Sequence, residues 1–236
     1  MATGEPFDWN DESMRSRMFV ASARDPRFAR TLIYNGATFK GQPVQSYVGG
    51  RNGRPLDGAT PTSYYLRKHI VEATSFVTGS EMSYQHIFPF FRYAEVLLNY
   101  AEALAAATQN PDFTGMKGEV EYTLSPREAL NAVRARYNMP GITETDYAAF
   151  VKRLRNERRV ELAFEGHRFW DIRRWKIGAE TTKVYGLTIT PQNDGSFSYV
   201  RSVIQQRGWD DRMNFYPIAD AELFKNHNLV QNDGWK

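Results

Sequence analysis

Cysteine is absent from this chain of 236 residues, which excludes disulfides and every thiolate-based metal site or nucleophile. Histidine is scarce, with only four, and none is paired at helical spacing, so an imidazole-held metal has little to be built from. No apolar run approaches the roughly 20 residues that a membrane-spanning helix needs. The opening residues, MATGEPFDWN, have neither the basic nor the apolar region of an export signal. An excess of one charge is also missing. The 30 basic and 27 acidic side chains leave +3, too little to imply nucleic acid or an anionic membrane as partner.

Aromatic residues, by contrast, are plentiful at 14%. Disordered chains are aromatic-poor, so this one folds, and its length allows a proper core in one large domain or two small ones. Residues 1–84 read as an irregular, loop-rich segment and 85–236 as a helical region, together one compact domain. Asp25-Pro26 predicts a turn, and FARTLIYNGATF predicts a short hairpin or turn at Asn35-Gly36. The stretch GQPVQSYVGGRNGRPLDGATPTS is dense in glycine and proline, the composition of a binding loop or of disorder.

Helical spacing is clearest in FPFFRYAEVLLNYAEALAAA, where Ala94, Leu97, Leu98, Ala101, Leu104 and Ala105 form one stripe and Pro89 suits a first turn. A second helix is announced by SPRE: Ser125 caps, Pro126 opens the first turn and Glu128 reaches back. Ala129, Leu130, Val133 and Tyr137 make its apolar face, and Met139-Pro140-Gly141 ends it. The two resemble a tetratricopeptide helix pair with an overlong loop. A third helix begins near Asp146, GLTITPQNDGSFSYV predicts a β-hairpin about Asp194-Gly195, and a short helix follows Pro217.

The third helix runs into LRNERRVELAFEGHRFWDIRRW. On a helical wheel Tyr147, Phe150, Val151, Leu154 and Leu162 share a face with Arg158, Glu161 and Glu165. Val160, Ala163 and Phe164 cover the opposite side, so the helix is expected to be buried and its charges paired. Arg158 is expected to meet Glu161, and Arg92 is one candidate for saturating the acidic ladder Glu157, Glu161, Glu165. Glu161 and Glu165 could instead serve a glycoside hydrolase as paired carboxylates. Interleaved arginines would depress both pKa values, whereas a general acid needs one raised. A metal held by Glu161, Glu165 and His167 requires Gly166 to break the helix, because positions 165 and 167 otherwise project about 200° apart. Glutamates between the arginines also spoil a nucleic-acid arm. The residues therefore read as a structural ionic core of Arg158, Glu161 and Glu165, with no catalytic residue, metal or cofactor.

FPFFRYAEVLLNYAEALAAA, SPREALNAVRARYNMPGIT, LRNERRVELAFEGHRFWDIRRWK, NFYPIADAEL and NLVQNDGW occur in that order, and together they resemble the C-terminal portion of the SusD/RagB family. The resemblance extends upstream through Asp25-Pro26-Arg27-Phe28 and Tyr64-Tyr65-Leu66-Arg67-Lys68. It implies a mainly α, SusD-like fold with tetratricopeptide-like helix pairs, long irregular loops and a small β-hairpin. It also implies non-catalytic binding of a glycan or other nutrient at the bacterial cell surface, for delivery to a SusC-like TonB-dependent transporter of the outer membrane. Family members are anchored by lipid on a cysteine that this chain lacks, so the expectation is a C-terminal portion or a shortened paralogue. A tetratricopeptide-like intracellular adaptor for peptides is the other non-enzymatic alternative.

Sugar recognition needs flat aromatic faces beside planar polar groups, commonly on loops. Trp9 and the loop residues Tyr47, Arg51 and Asn52 are the candidates. Trp209, beside Asp210, reads as structural.

Overall fold

The computed structural model describes residues 1–235. Helix α1 (Glu12–Ser16) starts on Asp11, whose carboxylate accepts the Met14 N–H at 3.0 Å. Asp25-Pro26 is not a turn but the start of α2 (Pro26–Thr31): the Asp25 carboxylate accepts the Arg27 N–H at 2.9 Å and Pro26 opens the first turn. Aspartate before proline serves either purpose, and the following residues decide which. Four two-residue strands follow: β1 (Leu32–Ile33), β2 (Thr38–Phe39), β3 (Gln42–Pro43) and β4 (Tyr65–Leu66). Asn35-Gly36 is a turn, with Gly36 at φ +83°, but it does not join two paired strands. β1 pairs antiparallel with β4, and β2 with β3.

The helical part begins with α3 (Tyr93–Thr108). Pro89 lies outside it, and Phe90 and Phe91 are exposed. The helix starts late because Arg92, its N-cap residue, is extended and reaches to Glu161 and Glu165. The small hairpin β5 (Gly115–Lys117) and β6 (Val120–Tyr122) then leads to α4 (Pro126–Ala135). Ser125 Oγ accepts the Glu128 N–H at 3.2 Å while Glu128 accepts the Ser125 N–H at 2.8 Å, a reciprocal capping box. Ser125→Ala is expected to cost about 1 kcal/mol, read as a lower urea midpoint at unchanged slope.

Asp146 caps α5 (Tyr147–Glu161) by accepting the Ala149 N–H at 2.8 Å. Buried Ala94, Leu98, Ala101 and Ala105 of α3 meet Ala129, Leu130 and Val133 of α4 and Phe150 and Leu154 of α5. The alanines let the helix backbones approach closely, and the large side chains fill the space between. Helix α6 (His167–Arg174) follows.

A long hairpin, β7 (Lys183–Pro191) with β8 (Phe197–Gln206), precedes the short α7 (Asp220–Lys225). The hairpin's Leu187 and Ile189 bury with Met18 in a core that Phe7, Trp9, Tyr47, Tyr64 and Phe197 flank. Ile33, Tyr34, Ala37 and Val44 form another. Phe19 joins the two, stacked on Tyr34 at 5.6 Å and edge-on to Tyr199 at 5.6 Å. The C-terminal hairpin is thereby packed onto the loop-rich N-terminal segment.

Candidate functional site

The charged segment does not form one continuous helix. α5 ends at Glu161, Phe164 takes φ +62° and Gly166 takes φ +84°, and α6 starts anew at His167. Phe164 is consequently 51% exposed, and Glu165 sits in the connection, beyond the reach of a wheel drawn through the whole stretch. Arg158 meets Asp171 through two bonds of 3.1 Å, not Glu161, because α6 brings Asp171 back across the helix end.

Glu157, Glu161 and Glu165 are saturated from other directions. Glu157 accepts from Arg27 and, at 2.8 Å, from Arg134. Glu161 accepts from Arg27 at 2.9 Å and from Arg92 at 2.5 Å. Glu165 accepts from Arg92 at 2.5 Å and from Lys68. With the Asp25–Arg27 pair, Arg27, Lys68, Arg92 and Arg134 make four cations against Asp25, Glu157, Glu161 and Glu165, four carboxylates. The net is neutral and ties α2 and the strand segment to α5.

Burial alone would raise the Glu165 carboxyl, yet hydrogen bonds and charge from Arg92 and Lys68 outweigh it and hold the group below the usual carboxylate range. Asp25 is likewise lowered by Arg27 against the opposing effect of burial. Carboxylates lowered on folding stabilise the fold above their unfolded pKa, near 4, and lose that contribution as pH falls through the lowered values. Urea midpoints across a pH series are therefore expected to drop steeply below about pH 4. A cleft of about 250 Å³ borders this net, but its carboxylates already have their counter-charges.

A second cleft, of about 160 Å³, has different chemistry. It is lined by Phe7, Trp9, Met18, Arg24, Thr62, Tyr64, Tyr185, Gly186, Leu187 and Arg201. Buried Met18 and Leu187 belong to the core beneath it. Ser63 Oγ donates to the Leu187 carbonyl at 2.6 Å, fastening the preceding loop onto β7. A Cβ on Gly186 would stand 2.5 Å from the Pro61 carbonyl oxygen, so only glycine permits that approach. Burial pushes the Tyr64 hydroxyl up to about 12, leaving it a neutral donor at physiological pH. Tyr185 is 42% exposed, and the Arg201 guanidinium lies over its ring at 3.6 Å and 5.9 Å from the Trp9 ring.

Of the residues singled out in the sequence, Trp9 lines this cleft. Tyr47 lies beside the same core, its ring tilted against Phe197 at 5.3 Å. Arg51 donates to the Pro43 carbonyl at 2.6 Å, Asn52 Oδ1 accepts the Gln45 N–H at 3.1 Å, and the Asn52 carbonyl accepts from Tyr65 at 2.5 Å. Those polar atoms hold the 41–63 loop in shape. The sequence reading missed Arg24, Tyr185 and Arg201. Strand register would have been the signal, since Leu187 pairs directly with Arg201 and Tyr185 with Val203 on one face of the hairpin. Trp209 covers Gly178, where a Cβ would lie 2.0 Å from the indole.

Comparison with known proteins matches residues 8–235 to the model of the SusD family, SusD/RagB. SusD-like protein P2 of Formosa agariphila is 33% identical over 146 residues, covering 60% of this chain and 24% of that protein. A SusD-like protein of Bacteroides fragilis has a solved structure that superposes with a TM-score of 0.75 at 27% identity, covering all of this chain and 45% of that one. A SusD-like carbohydrate binding protein of the same organism gives 0.69 at 29% identity, covering 97% of this chain and 46% of that one. The chain spans less than half the length of these relatives. A family match running nearly end to end, on a mainly helical fold shared with these structures, means that the chain belongs to the SusD family.

Proposed function

We propose that the chain binds a glycan without cleaving it, in the cleft formed by Trp9, Tyr64, Tyr185 and Arg201. The observation that carries this reading is the cleft itself. It sets half-buried Trp9 and exposed Tyr185 where the C–H side of a sugar ring can lie, with the Tyr64 hydroxyl and a guanidinium for its hydroxyl groups. Support comes from the solved relative named as a SusD-like carbohydrate binding protein. Tyr47, Arg51 and Asn52 act in this reading by shaping the neighbouring loop. The chain acts at the outer membrane on the cell surface, passing its ligand to a SusC-like TonB-dependent transporter, and α3 with α4 serves as a tetratricopeptide-like pair. Arg158, paired with Asp171, and Glu161 and Glu165, in the net with Arg27, Arg92 and Lys68, have a structural role in this reading.

Isothermal titration of the chain against a panel of oligosaccharides tests the binding. Trp9→Ala is expected to weaken any glycan found by about tenfold or more, as loss of a central aromatic contact does, measured below a melting temperature that lost packing on the Met18 core lowers. Equal affinity in the two proteins would remove the cleft from the account. Release of reducing sugar that stops in Glu161→Gln while the variant stays folded would replace binding by hydrolysis.

A further inference from the structure

We propose that this cleft selects glycans bearing an anionic substituent, a carboxylate or a sulfate ester, which Arg24 and Arg201 receive while the sugar ring lies against Trp9 and Tyr185. The proposal rests on the glycan reading above and adds the charge of the ligand.

The treatment of arginine across the fold points this way. Arg27, Arg92, Arg134 and Arg158 are all drawn inward, and each meets at least one carboxylate. Arg24 stands three residues before Arg27 and is also partly buried, yet among the described residues it makes no ion pair. It lies between the Phe7 and Phe28 rings, at 4.7 and 4.2 Å, and spends one donor on the Met18 carbonyl at 3.2 Å. Burial pulls its pKa below the ordinary arginine value, against the opposing effect of Tyr64 and the Asp25 charge.

The Arg201 side chain makes neither an ion pair nor a hydrogen bond among the described residues; it stacks on Tyr185 at 3.6 Å and lies 5.9 Å from the Trp9 ring. Stacking uses the flat face of a guanidinium and leaves its five in-plane N–H donors free. Two such groups border one cleft, and among the described residues no acidic side chain lines it. Planar donors bordering an aromatic-lined space suit a bidentate oxyanion. A neutral sugar would leave both charges without a counter-charge.

Titration of the full chain with matched pairs of ligands tests this. Tetragalacturonate is compared with its methyl ester, and a sulfated galactan oligosaccharide with its desulfated form, alongside neutral gluco- and manno-oligosaccharides. One charged ligand is expected to bind at least about tenfold tighter than its uncharged counterpart, and to weaken as salt rises. The preferred pair distinguishes carboxylate from sulfate. Arg201→Gln, at an exposed position where folding should survive, is expected to erase the preference, and Arg201→Lys to restore part of it. Trp9→Ala is expected to weaken charged and uncharged ligands alike. Equal binding of charged and uncharged forms, sensitive to Trp9→Ala and indifferent to Arg201→Gln, would overturn the proposal and leave glycan binding intact. No binding to any saccharide in the panel would overturn both.

Discussion

Glu161→Gln is expected to lower stability by about 3–5 kcal/mol, the cost of breaking a buried ion pair from one side. Glu161 is 3% exposed. One of its carboxylate oxygens accepts from Arg27 at 2.9 Å and the other from Arg92 at 2.5 Å, while its carbonyl takes a further Arg92 N–H at 2.6 Å. Glutamine preserves the shape but turns one acceptor into a donor facing a guanidinium. It also leaves the four-against-four charge balance one carboxylate short. For a chain of this length the melting temperature should fall by roughly 6–20 °C, at about 2–4 °C per kcal/mol. Differential scanning calorimetry measures it. A shift of a degree or two would mean that the net is solvated and unimportant to the fold.

Phe150→Ala is expected to cost a similar amount, about 3–5 kcal/mol, for a different reason. Phe150 is 0% exposed and heads the large side chains enclosed in the helical core, among Leu98, Leu130 and Leu154. Removing the ring forfeits its burial and leaves a cavity that rigid helices cannot close. Phe150 and Glu161 are separated along α5 by about 16 Å, taking 1.5 Å per residue, and their effects should add to within about 0.5 kcal/mol. Urea titration of both single variants and the double variant checks this. Strong non-additivity would mean that the ionic net and the apolar core act as one unit.

Local chemistry made part of this fold legible in advance. The Ser125 and Asp146 caps are short-range signals, and the stripe from Ala94 to Ala105 needs only helical spacing, so both could be read directly. Buried charge was also inferable, because the wheel sets Arg158 and Glu161 on the face of Phe150 and Leu154, although the opposite side proved solvated, with Lys152 and Arg159 exposed. Its partners were not. Asp171 reaches Arg158 only because Gly166 breaks the chain direction, and Arg27 reaches Glu157 and Glu161 from α2.

The candidate site was less legible still. Trp9 stood out as a lone aromatic, but Tyr185 and Arg201 join it through the hairpin register. A two-residue Asp194-Gly195 turn would set Leu187 opposite Ser202. The observed loop is longer, with the Gln192 N–H bonding Ser196 O at 2.8 Å and Gly195 at φ +82°. That shift sets Leu187 opposite Arg201 instead, and in a strand a slip of one residue moves every side chain to the other face. Arg24 was hidden for a related reason: its neighbours Phe7 and Phe28 are distant in sequence or belong to a helix read as a turn.

Sugar binding beside Trp9 is open to a direct test through the five tryptophans of the chain. Their indole N–H resonances, assigned by single Trp→Phe variants, can be followed by NMR as the tightest-binding oligosaccharide is added. The expected result is a large, saturable shift of Trp9, little movement of Trp170, Trp175, Trp209 and Trp235, and recovery of the oligosaccharide uncleaved. Saturation with Trp9 unmoved and Trp170 or Trp209 shifted would contradict it, placing the sugar near α6, where the Trp170 ring lies 5.0 Å from Phe169 and 6.1 Å from Tyr216.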